Sequence, residues 1–458
     1  MAQSKKITVP PLLDTGLLLA IGLLYLLRPV TGWELLWPRA VVSGALLLLF
    51  LPRMSRSFRI PAWIFTLCGV AMLLWKGAPA EVWAQGLNSM LLTAAIIVVM
   101  QTLSIAIGAG DYSQAISDAM RRYAGNQGIL YFLVEVFAHL LCSILNIGEV
   151  IIVLSSFDKE LTEQIDDYPG YVSGAIARGH CTAFLWAPGS VTVLMTLQLF
   201  GLDWAGYVLP AAGLACLGIA LGGGLEYPRL RRRRLSGEKT PLSGRSLAKL
   251  GTLAAVIVVI VCGISCLEPL FPNTSSGERL ILAVAVVSVL WLLVQAPGGQ
   301  LGGQVKKFCM DTLPDSGSLC AFFISMGFFS NALQYMGLDV VLERAAAPLN
   351  TLPAIFLLAL VPLVIIAFSL IGVHPMVSLA VLAPLFTQLA GNASALQLAL
   401  STALGCCLAY MLSPFAGLIL LLSHLLHLPA RQIALARNFR FSLLYYVISV
   451  VLIAVLVS

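Results

Sequence analysis

The chain is poor in charge. Asp, Glu, Lys and Arg make up 10% of 458 residues, 21 acidic and 27 basic, where soluble domains carry about 25%. That deficit excludes a soluble protein of this size. Catalytic signatures are missing too: there is no Gly-rich phosphate loop, no nucleophile elbow and no His-Glu-x-x-His zinc helix. The ten cysteines lie nearly all in apolar runs without metal-ligand spacing and read as small membrane-buried side chains. The chain therefore reads as a non-enzyme with no metal site and no organic cofactor. No small-x-small cleavage site follows the first apolar run, so an uncleaved first helix is expected. The glycine run at 298–303 follows an apolar segment rather than a strand and reads as a flexible connection. Asn273-Thr-Ser and Asn392-Ala-Ser match only a short glycosylation pattern.

What is present is hydrophobic sequence, 59% of the chain. At roughly 20 apolar residues per crossing, the length accommodates on the order of ten to twelve spanning helices. Apolar windows predict helices at 11–28, 38–52, 60–75, 88–109, 172–200, 204–222, 249–267, 279–296, 316–336, 396–424 and 438–457. Two further segments, 127–157 and 353–388, hold paired apolar arms around a polar, helix-breaking centre. Each arm is short for a full crossing, so both segments read as re-entrant hairpins.

The basic residues test this count. With the N-terminus inside and eleven crossings, 22 of the 27 fall on the cytoplasmic side, leaving only Arg28, Arg39, Lys76, Arg279 and Arg344 outside. Such a division fixes orientation under the positive-inside rule and puts the C-terminus outside, in what is expected to be a bacterial inner membrane. Arg231 to Arg234 become a solvated inner loop. The net charge of +6 then needs no nucleic-acid partner.

Comparing the chain with itself at a shift of 226 residues pairs Gly179 with Gly405, Cys181 with Cys407, Ala183 with Ala409 and Pro188 with Pro414. Leu194, Leu199 and Leu202 find leucines at 420, 425 and 428, which makes seven identities in 25 positions. Chance in so leucine-rich a chain gives roughly two or three. The same register superposes both hairpins, pairing Ser143 with Ser369. An odd number of crossings between equivalent points inverts the second half. The expected organisation is an extra helix in 1–35, an inverted repeat in 36–224, a basic loop in 225–248 and a second inverted repeat in 249–458. Inverted repeats with discontinuous helices build many secondary transporters, with the site at the midplane.

Four interruptions can meet there: the hairpin tips Ser143-Ile-Leu-Asn146-Ile-Gly148-Glu149 and Ser369-Leu-Ile-Gly372-Val-His374-Pro375, and the breaks at Pro188-Gly189-Ser190 and Ser413-Pro414. Proline removes a backbone donor and frees a carbonyl, while a new half-helix N-terminus offers free N–H groups to an anion. Ser143, Asn146, Ser190, Thr192, Ser369, Ser378 and Ser413 can add neutral ligands. Glu149 and His374 read as substrate or coupling groups, since ionisable residues at membrane depth are costly and tend to be functional. Glu135 and His139, four apart on one helix face, can pair as a proton relay. Arg178, His180, His424 and His427 read as interfacial anchors.

This layout resembles the ion transporter superfamily, which includes the divalent anion/sodium symporters and arsenite-efflux-type permeases. The resemblance covers essentially the whole chain and implies an elevator-like exchange and a dimeric scaffold. The symporters typically show Ser-Asn-Thr at the tips. Here the tips read Ser143-Ile-Leu-Asn146 and Ser369-Leu-Ile-Gly372, with Glu149 and His374 added, a departure that leaves proton coupling open beside sodium. The reading is a secondary active transporter of a small anionic solute, an organic anion or oxyanion, coupled to a Na+ or H+ gradient. A cation/proton antiporter or oxyanion exporter of the same fold, and a membrane enzyme or assembly subunit, are the competing readings.

Overall fold

The computed structural model describes residues 11–110, 112–236, 242–295, 301–337, 339–389 and 393–456. Lys5, Lys6, Lys239, Asn392 and the start of the glycine run at 298–300 lie outside them. The described residues form helices and no strand, with one isolated bridge between Asn126 and Arg234. The helices run in order as α1 Pro11–Thr31, α2 Leu36–Phe50, α3 Arg56–Trp75, α4 Ala80–Asn88, α5 Leu91–Met100, α6 Leu103–Gly110 and α7 Tyr112–Tyr123. Then come α8 Gln127–Leu145, α9 Glu149–Ser155, α10 Lys159–Glu163, α11 Tyr168–Ala183, α12 Val191–Phe200, α13 Trp204–Leu230, α14 Gly244–Cys266 and α15 Ser276–Gln295. The rest are α16 Leu301–Lys307, α17 Leu313–Tyr335, α18 Asp339–Ala346, α19 Ala354–Leu370, α20 Pro375–Phe386, α21 Ala395–Leu412, α22 Gly417–Leu426 and α23 Asn438–Leu456.

This is a polytopic all-α membrane protein. Among the described residues, eleven helical stretches are long and apolar enough to cross a membrane. The set differs from the eleven expected: 127–155 qualifies by length, whereas 172–200 does not, because α11 and α12 have only 16 and 10 residues. The helices turn large apolar side chains outward, among them Val41, Leu48, Leu74 and Trp75, as a lipid-facing surface requires. Of the cysteines, Cys142, Cys181, Cys320, Cys406 and Cys407 are buried in protein while Cys68, Cys216, Cys262 and Cys266 are exposed on helix surfaces.

The chain forms two compact units, one from Met1–Ala109 and Ile260–Ala345, the other from Gly110–Val259 and Ala346–Ser458. Each takes residues from both halves of the sequence, so the units cut across the sequential organisation read from the repeat.

In unit 1, α17 packs against α2, α3, α4 and α5. Its contacts are tightened by glycines set on aromatic rings, Gly317 on Phe50 and Gly69 on Phe328. The helix expected at 88–109 lies within one apolar stretch long enough to cross, Ala80–Gly108, which breaks at Ser89-Met90 and Gln101-Thr102 divide into α4, α5 and α6. Gly327 of α17 comes so close to Met90 that a Cβ would lie 2.8 Å from its backbone nitrogen. Asp14 is held by both terminal nitrogens of Arg53 at 2.7 and 2.9 Å, and Glu278 by Arg28 at 2.5 Å. Asp14 and Arg28 lie on α1 about 21 Å apart at 1.5 Å per residue, so the two pairs mark its opposite ends.

In unit 2, α11 lies along α8 and α21 along α19. The segment holding α8 and α9 returns to its own start: Gln127 Nε2 donates to the Gln164 carbonyl at 2.7 Å, and Arg121 pairs with Asp158. The segment holding α19 and α20 does the same, with Asn350 Nδ2 donating to the Gln388 carbonyl at 2.8 Å. The two openings lie at opposite ends of α23. Asp167, just past the first, pairs with Arg437 at the start of α23, while Gln397, just past the second, donates to the carbonyl of Ile453 near its end.

Elements of unit 2 recur at the 226-residue spacing. α12 and α22 have the same length and occupy equivalent positions, and each ends in a left-handed residue, Gly201 (φ 62°) and His427 (φ 53°). Gly179 of α11 leaves room for the Glu135 carbonyl of α8, and Gly405 of α21 for Pro362 of α19, where a Cβ would lie 2.8 Å from Cα. Phe184 and Tyr410 occupy equivalent positions and touch each other edge to face at 4.8 Å. In unit 1, Cys320 Sγ likewise meets the carbonyl of its equivalent Ala94 at 3.7 Å.

Candidate functional site

The site is assembled where α8 stops. The helix starts at an Asn126 cap, whose side chain accepts from the Ile129 N–H. It ends at Asn146, which takes φ 52°, a region that L-residues avoid and Asn tolerates best. Asn146, Ile147 and Gly148 are exposed at the tip. Ser143 is buried, with its hydroxyl bonded to the Leu140 carbonyl of its own helix at 2.7 Å. Glu149 opens α9 and is fully buried. Its Oε1 lies 2.7 Å from His180 Nδ1, and its Oε2 has no partner among the described residues.

Beyond Ala183 the backbone leaves the helix and does not resume it until Val191, with Pro188 buried in the gap. Gly189 is half-buried, and Ser190 Oγ donates to the Phe184 carbonyl at 3.2 Å across the break. Ser190 does not cap α12 with its side chain, so the first N–H groups of that helix are left unsatisfied by it. Thr192, in the first turn, donates to Met376 Sδ at 3.7 Å. Thus α12 meets the tip of the other half.

The second tip needs glycine. Gly372 takes φ 96°, and His374 follows, with Pro375 at the first position of α20, where its missing N–H costs nothing. His374 Nδ1 accepts from the Met376 N–H at 3.3 Å, and Ser378 Oγ, buried, donates to the His374 carbonyl at 3.4 Å. The second break is pinned to this tip by Ser413 Oγ, which donates to the Ser369 carbonyl at 2.8 Å. Ser369 Oγ itself is buried without a partner among the described residues. Pro414 is half-buried, and α22 begins at Gly417 with no side-chain cap. A Cβ on Gly417 would lie 3.9 Å from Ile147, so α22 also meets the tip of the opposite half.

A continuous line of side chains joins the two tips. Glu149 bonds His180; His180 meets Phe184 edge to face at 4.9 Å; Phe184 meets Tyr410; and Tyr410 meets His374 at 5.5 Å. The line carries an acid and an imidazole at one end and a second imidazole at the other. Among the described residues no three His, Cys, Asp or Glu side chains converge as metal ligands.

Several expectations change. Glu135 and His139 do not pair. Trp186 Nε1 donates to His139 Nε2 at 2.9 Å, which leaves the proton on Nδ1, facing the Gly179 carbonyl at 3.2 Å and Thr182 Oγ1 at 3.1 Å. His139 is thereby a pin between α8 and the first break. Glu135 is buried against Gly222 with neither oxygen bonded among the described residues. Arg178 and His180 are buried rather than interfacial, at 3% and 1% exposure, because α11 is enclosed by α8, α13 and α21. His424, His427 and Arg231 to Arg234 are exposed. Sequence reasoning missed Trp186, Phe184 and Tyr410. The last two face each other in the 226-residue register, but a search for identities passes over a Phe–Tyr pair.

No family model and no curated protein matches the chain. Among solved structures it is similar to the YdaH transporter of Alcanivorax borkumensis, with a TM-score of 0.58 and 16% identity over 86% of this chain and 98% of that one. That likeness shows a shared fold. It is also similar to MtrF of Neisseria gonorrhoeae, described as illuminating a class of antimetabolite efflux pumps, at a TM-score of 0.49 and 13% identity over 86% of this chain and 94% of that one. The first likeness carries the fold; the second is too loose to add to it.

Proposed function

We propose that the protein is a secondary active transporter of a small anionic solute, that unit 2 carries the solute, and that a proton on the Glu149–His180 pair couples its movement. The observation that carries this reading is the convergence, in one unit, of two helix breaks and two chain reversals around that pair. The reversals with their ends together, their openings at opposite ends of α23 and the recurrence at 226 residues support re-entrant hairpins in inverted repeats. The grouping of Arg53 with Asp14 away from Arg28 with Glu278 supports the sidedness read from the charges.

Chemically, the uncapped starts of α12 and α22 offer N–H groups and partial positive charge to an anion. An anion crossing a low-dielectric path needs its charge offset. A hydrogen-bonded carboxylate and imidazole can hold one proton between them and release it when solvent reaches the pair. The coupling group is assigned to the first tip, where Glu149 bonds His180, and a titratable pair of this kind favours the proton over sodium. Asn146, exposed at the tip, and Ser369, with an unused buried hydroxyl, are assigned to solute recognition.

A thermal-shift screen of the purified protein against small carboxylates and oxyanions identifies the solute, since a ligand of the folded state raises its apparent stability. Uptake of that solute into proteoliposomes under imposed gradients then tests coupling. A pH gradient should drive accumulation without sodium. Accumulation driven by sodium alone would overturn the proton assignment, and a solute that neither gradient concentrates would overturn the secondary transporter reading.

A further inference from the structure

A cavity of 330 Å³ opens in unit 2 where α8 and α11 begin and α13 ends. Its wall carries Arg178, Arg229, Arg233, Arg437 and Arg440 against two carboxylates, Asp167 and Glu226. Arg233 is paired with Asp166 at 2.5 Å, Arg437 with Asp167, and Arg178 with Glu226 at 3.1 Å. Arg229 and Arg440 have no partner among the described residues.

The cavity is built rather than incidental. Arg178 is 3% exposed and is fixed by neutral acceptors: Asn438 Oδ1 at 3.2 Å, the Gly222 carbonyl at 3.4 Å and the Arg437 carbonyl at 3.0 Å. The Phe441 ring lies against its guanidinium at 4.9 Å. These acceptors and the ring hold the side chain still beside its ion pair with Glu226. Tyr131, also 3% exposed, lines the cavity, and its hydroxyl has no hydrogen-bond partner among the described residues. That hydroxyl is next to Gly174, another lining residue, where a Cβ would lie 3.0 Å away. A spare donor, a fixed buried guanidinium and two unpaired arginines therefore share one concave space.

We propose that this cavity binds a phosphate-bearing anion. Guanidinium forks match phosphate oxygens in bidentate geometry, and the volume suits a pyrophosphate-sized group. Both a free phosphate compound and the headgroup of an anionic lipid present this chemistry, and basic pockets between membrane helices bind such headgroups. The first tip lies at the other end of α8, which at 19 residues is about 28 Å long. The cavity is thus a site separate from the one assigned to the solute, and its test uses no gradient and no solute.

The test is thermal unfolding of the purified full-length protein with pyrophosphate, with chloride at matched ionic strength as control, and in a second arm with added cardiolipin. Stabilisation by pyrophosphate or by cardiolipin beyond the control supports the site and identifies the source. Arg229→Gln with Arg440→Gln should weaken the apparent affinity about tenfold or more while leaving the unliganded melting temperature unchanged, because neither side chain is paired. Tyr131→Phe should weaken it by several-fold. No stabilisation in either arm, or equal stabilisation of the double variant, overturns the proposal.

Discussion

The two units treat their buried carboxylates differently. In unit 1 the buried carboxylates, Asp14 and Glu278, each sit against an arginine. In unit 2 Glu135 has no bonded oxygen among the described residues, and Glu149 has one oxygen on a histidine and one without a partner. Each unit has a glycine set against backbone, Gly327 on Met90 in unit 1 and Gly179 on Glu135 in unit 2, but one pair of contacts differs. Gly317 of unit 1 makes room for a phenylalanine ring, which can turn, whereas Gly179 of unit 2 makes room for a backbone carbonyl on α8, which cannot. An unpaired buried carboxylate is destabilising unless it neutralises itself. Under the proposed function, such carboxylates beside the breaks at Pro188 and Pro414 are what unit 2 keeps for chemistry.

Five substitutions sharpen this contrast. Gly179→Ala should destabilise the purified protein by about 3 kcal/mol or more, and Gly317→Ala by about 1 kcal/mol, since overpacking is harder to relieve against backbone. Heat or detergent unfolding reads both, and equal costs would erase the distinction in packing. Asp14→Asn should cost about 2 kcal/mol by leaving Arg53 without its carboxylate. Solute transport per folded molecule should be unchanged; a transport defect would mean that unit 1 also holds functional charge. Asn146→Gly should lower transport about tenfold, roughly 1.4 kcal/mol in the barrier, with stability kept because glycine accepts φ 52° more easily than asparagine does. Asn146→Ala is the weaker probe, since it also strains the turn. Trp186→Phe removes the donor to His139 and should cost about 1 kcal/mol, the net value of one hydrogen bond.

Much of the fold was legible because membrane sequences are written in two strong signals. Low charge and apolar run length located the helices to within a few residues at α3, α15 and α23, and Pro188 and Pro414 located both breaks. The helix expected at 88–109 falls within one membrane-length apolar stretch, Ala80–Gly108, but its interruptions at Ser89-Met90 and Gln101-Thr102 contain neither proline nor glycine and were not legible. Met90 packs against Gly327 of α17 and Thr102 bonds Ser288 of α15, tertiary contacts that hydropathy does not encode. The tips of the candidate site were legible as backbone, since Asn146 and Gly372 supply geometry that few residues tolerate, and Glu149 stands out in the sequence as a charge at depth. Its partner does not. Glu149 and His180 are 31 residues apart on different helices, so no local spacing relates them. Helix-face spacing instead paired Glu135 with His139, whose ring nitrogens are already occupied by Trp186 on one side and by Gly179 and Thr182 on the other.

The account rests on Glu149 holding the coupling proton, and Glu149→Gln tests it most directly. In proteoliposomes loaded with the solute found by the thermal-shift screen, two rates are measured, accumulation driven by a pH gradient and exchange of labelled for unlabelled solute without a gradient. The account predicts that Glu149→Gln abolishes gradient-driven accumulation, by about 100-fold or more, while exchange persists and the folded yield is kept. Accumulation that survives the substitution would contradict it.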